Sequence, residues 1–87
     1  MLIRSQQKKQ TCNLDTSHSL WIHEQYGKFN IMMSFNNDAD YGMGEYSTEA
    51  KAIKVLDMIQ GAYARFCSGN TYSDAVYQMP ADEEVEG

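Results

Sequence analysis

The chain reads as an α+β protein: an antiparallel sheet of four to five strands with one long helix packed on one face, in the order βββββ-α-β or ββββ-α-β. Three observations predict this. The first half alternates apolar and polar residues in short runs with period two. A single stretch near residues 48–66 switches to helical spacing. A last short apolar run, AVYQM, then ends at the chain's one proline.

The strands follow in order. In MLIRSQ, Met1, Ile3 and Ser5 fall on one face and Leu2, Arg4 and Gln6 on the other. QKKQ is a polar turn, after which TCNLD can return as a second strand. LWIHEQY sets Leu20, Ile22 and Glu24 against Trp21, His23 and Gln25. KFNIMMSF is the clearest strand, with Phe29, Ile31, Met33 and Phe35 facing one way. Between these two runs, Gln25-Tyr26-Gly27-Lys28 suits a tight hairpin, because glycine tolerates positive φ. NNDAD at 36–40 is the next turn, since Asn and Asp favour local side-chain hydrogen bonds. YGMGEY follows as a strand. Its Gly42 and Gly44 lie two apart and so on one face, which marks a bulge or a close approach of the helix.

The helix is expected from about Thr48 to Phe66, with Ser47 as N-cap and Glu49 in the first turn. Ala52, Val55, Leu56, Ile59, Ala62, Tyr63 and Phe66 form its apolar stripe. Gly61 inside the run marks a close packing contact or an early end. SGN at 68–70 is a stop signal with Gly69 in the left-handed cap, and residues 70–74 form a polar loop.

Composition bounds the function. Eighty-seven residues make a single domain, 1–87, small enough that a homodimer is compatible with its size. Twelve acids against seven bases give a net charge of −5, and the basic residues are scattered. Direct nucleic-acid binding needs a cationic footprint, so DNA and RNA are not expected as ligands. A basic protein that itself binds nucleic acid suits this charge. No apolar run reaches membrane-spanning length, and MLIRSQQKKQ lacks the apolar core of a signal peptide. A cytoplasmic protein with no membrane partner is expected. Cys12 and Cys67 do not make a disulfide framework and are read as reduced thiols.

Constellations that could carry chemistry are sparse. His18 and His23 have the spacing of half a zinc site, but Cys12 and Cys67 lack the paired spacing of the other half. Asp38 and Asp40 open like a calcium loop, but Gly42 and Met43 stand where further ligands and the glycine belong. YGMGEY lacks the third glycine and the lysine of a phosphate loop. No nucleophile–base pair stands out, so no catalytic residue, metal or cofactor is assigned and a non-enzymatic binding role is expected. The C-terminal QMPADEEVEG carries Asp82, Glu83, Glu84 and Glu86. Pro80 should end strand pairing, leaving residues 81–87 as a mobile acidic tail that serves either as a solvated end or as a contact surface.

MLIRSQ at the start, GEYST with KAIKVLDMIQGAY through the helix, and YQMPADEEVE at the end resemble a group of small uncharacterised proteins of Firmicutes genomes and their prophages or mobile elements. These blocks cover roughly half the chain. STEAKA departs from the S-T-K-E-K-A typical of that group, so the capping-box acid is missing. The resemblance implies a mobile-element product working in a bacterial cytoplasm, a setting in which small acidic proteins often inhibit host defence. The first reading is therefore an inhibitor of a host defence protein, of the kind that blocks a CRISPR effector. It would act through Asp82, Glu83, Glu84 and Glu86 with Asp38, Asp40 and Glu45. A second reading is a protein that binds or sequesters a small molecule such as a signalling nucleotide, through Arg4, Lys8, Lys9, Trp21, Tyr41 or Tyr46. A plain protein-interaction module is the third.

Overall fold

The computed structural model describes residues 1–35, 39–68 and 76–86. Among these residues, six strands and one long helix run β1 (Leu2–Arg4), β2 (Thr11–Asn13), β3 (Ser17–Gln25), β4 (Lys28–Phe35), β5 (Asp40–Tyr46), α1 (Glu49–Cys67) and β6 (Val76–Gln78). The α+β class and the order with five strands before the helix are as the sequence reads. The strands, however, form two three-stranded sheets rather than one larger sheet.

The division falls between β2 and β3. Asn13 Oδ1 accepts from the Asp15 N–H at 2.9 Å and starts a 3-10 turn over Leu14–Thr16, which breaks the extended chain. Upstream of it, β1 pairs antiparallel with β2 and parallel with β6. The first and last strands therefore share one sheet. Downstream, β3, β4 and β5 form an antiparallel meander. Its first hairpin closes through Tyr26 (φ 54°) and Gly27 (φ 73°). Positive φ at both central residues is the type I′ arrangement whose twist matches the flanking strands.

One core joins the two sheets and the helix. Met1, Ile3 and Cys12 from the small sheet meet Ile31, Met33, Met43 and Tyr46 from the meander and Ala52, Val55, Ile59 and Ala62 from α1. The helix packs chiefly on β4 and β5. Leu56, Tyr63 and Phe66 of the expected stripe are half-buried against the same core. The N-cap is Thr48, not Ser47: its hydroxyl accepts from the Lys51 N–H at 3.1 Å. Ser47 is used elsewhere. Gly61 neither ends the helix nor marks a tight contact, since the nearest atom to a Cβ there is Arg65 Nη1 at 3.6 Å.

The two strand glycines do not share a face. Ile31 pairs with Gly44 and the next residue, Met32, with Gly42, so Met43 is the extra residue of a bulge. Gly44 turns inward and is buried, whereas Gly42 is exposed. The close approach at Gly44 comes from the Tyr46 ring and Met79 rather than from the helix.

Pro80 ends β6 as expected, but the following residues do not stand off in water. Residues 82–84 form a 3-10 turn, and Val85 is 5% exposed within the core. Asp38, Gly69 and residues 70–74 lie outside the described residues.

Candidate functional site

β1 ends at Arg4, and the chain reverses through residues 5–10. Ser5 N–H donates to the Gln10 carbonyl at 2.7 Å, and Ser5 Oγ accepts from Gln10 N–H. Lys8 takes φ 67°, and the Arg4 guanidinium donates to its carbonyl. This turn lies against the outer edge of β5. Gln6 N–H donates to the Met43 carbonyl at 2.8 Å. The Gln6 side chain then accepts from Glu45 N–H at 3.0 Å and donates to the carbonyls of Glu45 and Pro80, both at 3.1 Å. One amide thus closes a strand edge that would otherwise expose unpaired backbone groups, and it ties that edge to the C-terminal segment.

The C-terminal segment is fixed from its other side. Tyr46, wholly buried, donates its hydroxyl to the Pro80 carbonyl at 2.8 Å. Burial pushes the phenol's pKa well up, so it stays a neutral donor. Asp82 Oδ1 accepts from Ser47 N–H at 2.8 Å and Ser47 Oγ at 3.1 Å. Lys51 Nζ lies 3.4 Å from Asp82 Oδ2 and 3.2 Å from its carbonyl. The Ser47 N–H, more than the lysine, holds the Asp82 carboxyl below its usual range. Glu84 Oε1 accepts from Ala81 N–H at 2.8 Å.

The predicted acids therefore divide. Asp82 and Glu84 are anchors that hold the turn. Glu83 and Glu86 are exposed and make no hydrogen bond or ion pair among the described residues. Glu45 points outward from β5 and joins Asp82 and Glu83 around a hollow of about 300 Å³, with Gln6, Lys28 and Ser47. Three carboxylates thus gather there with Lys28, and Asp82 is also paired with Lys51. Asp40, at the other end of β5, is roughly 16 Å away by strand rise and belongs to a different part of the surface. Asp38 is outside the described residues.

The residues of the small-molecule reading do not converge. Tyr46 is a core residue and is not a ligand contact. Arg4 is spent on the Lys8 carbonyl. Tyr41 packs edge-on against Phe35 with ring centroids 5.6 Å apart. Trp21 stands on β3 across from Met32. Lys9 lines a hollow of about 220 Å³ with Gln7, Gln10, Asn30 and Gly42, Tyr41 lines a separate one of about 530 Å³ with Cys12 and Phe35, and Tyr46 borders the one at Asp82. The residues of this reading are thus spread over three hollows.

Cys12 is buried, its thiol pKa pushed up by that burial, while Cys67 is exposed; both are free. Among the described residues, no three of His, Cys, Asp and Glu converge as metal ligands. No helix among them is long and apolar enough to cross a membrane. Nothing in the sequence marks Gln6 for this role, because a glutamine after a strand carries no periodic signal. Comparison with protein-family models, with curated proteins and with solved structures found no match.

Proposed function

We propose that this chain is a non-enzymatic binding protein whose contact surface is the acidic flank of β5 and the C-terminal turn. The observation that carries this is the gathering of Glu45, Asp82 and Glu83 around one hollow, on a turn held by Gln6, Ser47 and Lys51. An acidic group that is already positioned loses little side-chain freedom when it meets a cationic partner. The net charge of −5 adds long-range attraction toward such a partner. The partner class is a basic, nucleic-acid-binding protein of a host defence system, whose groove these carboxylates would occupy in place of phosphates.

The test uses a guide-loaded CRISPR effector nuclease as the basic partner and measures target-DNA binding with and without this protein. Inhibition that weakens steeply with salt is expected. A Glu45→Gln/Glu83→Gln/Glu86→Gln variant should lose it while keeping the wild-type melting curve, since none of the three side chains holds the fold. Equal potency of wild type and variant would place the contact elsewhere. No inhibition would remove this effector class as the partner.

A further inference from the structure

We infer that the free edge of β3 is a self-association surface, on which a second copy of this chain adds its own β3 antiparallel across a two-fold axis at Trp21. The result would be a continuous six-stranded sheet, β5-β4-β3 followed by the same three strands of the partner in reverse.

Four observations support this. First, β3 is nine residues long and terminates its sheet, with β4 on one side only. Among the described residues, no backbone group of residues 18–25 bonds to a segment other than β4. A long unpaired edge is a template for another strand, and β3 carries neither proline nor lysine to block it. The opposite edge, β5, is closed by Gln6.

Second, the side chains at this edge are incompletely covered. Ile31 and Met33 are fully buried, yet Ile22 and Leu20, their partners across the ladder, are only half-buried. A hollow of about 410 Å³ opens beside Leu20, lined also by Leu14, Ile59 and Tyr63. An added strand would cover these residues.

Third, the hydrogen-bond phase permits this register. The two-residue loop at Tyr26-Gly27 makes Gln25 and Lys28 a pair that exchanges both backbone bonds. Alternation then turns the N–H and C=O of Leu20, Ile22 and Glu24 outward. Placing Trp21 opposite its copy sets Leu20 against Ile22 of the partner subunit, both with outward-facing backbone groups.

Fourth, overlap across Ser19–His23, the regular run beyond the bulge at His18, gives compatible neighbours. Trp21 stacks on its own copy on the outer face, and Leu20 meets an isoleucine on the inner face. Ser19 meets a histidine. No like charges are opposed. The acidic flanks lie at the two far edges of the dimer, away from one another.

Sedimentation equilibrium from low micromolar to millimolar concentration should give a species of twice the 9.9 kDa chain mass. Trp21 is the only tryptophan, so its emission should shift to shorter wavelength over the same range. Ser19→Glu with His23→Glu should weaken the dimer roughly tenfold by setting two glutamate pairs in opposition, and Ser19→Glu with His23→Lys should restore it. In a Cys67→Ser background, Trp21→Cys should oxidise to a covalent dimer because only that residue faces its own copy. His23→Cys, facing a serine, should not. A monomer across the whole range would overturn the proposal and leave the edge for a strand of different sequence. A dimer indifferent to Ser19→Glu with His23→Glu, with no cross-link at Trp21→Cys, would overturn the assigned interface.

Discussion

Asp82 holds the residue just ahead of the long helix: one carboxylate oxygen accepts both the backbone N–H of Ser47, at 2.8 Å, and its hydroxyl, at 3.1 Å. The contact spans thirty-five positions of sequence and joins the last turn of the chain to the start of α1. These bonds favour the ionised form, so the folded carboxyl pKa lies below its ordinary value of 3.8. A depressed pKa adds stability that is fully present above the unfolded value and is lost as pH falls through the folded one. Thermal melting of wild type should therefore lose this contribution below about pH 4. Asp82→Asn should melt lower at neutral pH, and the difference should narrow in acid. A gap that is constant with pH would show that the carboxylate charge is not what holds Ser47.

The C-terminal segment should be required for full stability. Val85 is buried and Met79 is 1% exposed, so the segment supplies core rather than only charge. Val85→Ala should cost roughly 1–2 kcal/mol in denaturant unfolding. Truncation before Asp82 should cost more, because it removes Val85, the Ser47 anchor and the Lys51 ion pair together. A truncated chain with the wild-type midpoint would restore the picture of a solvated tail.

Two glycines should respond to alanine with opposite signs. A Cβ at Gly44 would sit 3.0 Å from the Tyr46 hydroxyl and 3.1 Å from Met79 Cε. Tyr46 is fully buried, so Gly44→Ala should destabilise by about 1–3 kcal/mol. At Gly61, inside α1, the nearest atom is at ordinary contact distance. Gly61→Ala should stabilise by roughly 0.5–1 kcal/mol through the reduced entropy of the unfolded chain. Equal signs in the two measurements would contradict the packing described here.

Tyr26 sits in the left-handed region at φ 54° and is 94% exposed, so it bears backbone strain without packing in return. Asparagine tolerates that conformation through local hydrogen bonding. Tyr26→Asn should raise stability by about 0.5–1 kcal/mol while leaving the hairpin unchanged. A loss of stability would mean that the tyrosine ring contributes to the fold despite its exposure.

The hydroxyl of Tyr63 donates to Asp15 Oδ1 at 2.8 Å, and the Met1 amino group donates to the other oxygen at 3.0 Å. The bond to Asp15 pushes the phenol pKa up to about 12. A raised value means the stabilisation is present below the ordinary tyrosine pKa and fades as pH rises through about 12. Tyr63 followed by NMR should titrate well above the ordinary tyrosine range, and Asp15→Ala should bring it back toward about 10.

Period-two alternation in MLIRSQ and KFNIMMSF determined which side chains enter the core, and 3.6-residue spacing determined α1 and its buried stripe. Gly27 marked the hairpin because positive φ is a local property of the backbone. These are short-range signals, and they were enough for the class and the order of elements. Tertiary structure decided what depends on residues far apart in sequence. Whether six strands make one sheet or two turns on β1 finding β6 and on a three-residue turn at Leu14–Thr16, neither of which has a periodicity. Met43 bulges only relative to its register with β4, so the separate fates of Gly42 and Gly44 are invisible in YGMGEY itself. The acids of QMPADEEVEG look alike in sequence. Asp82 becomes an anchor and Glu83 and Glu86 remain outward because Ser47, Lys51 and a pocket for Val85 are brought to them by the fold, and burial of one valine outweighs the tendency of neighbouring carboxylates to stay in water.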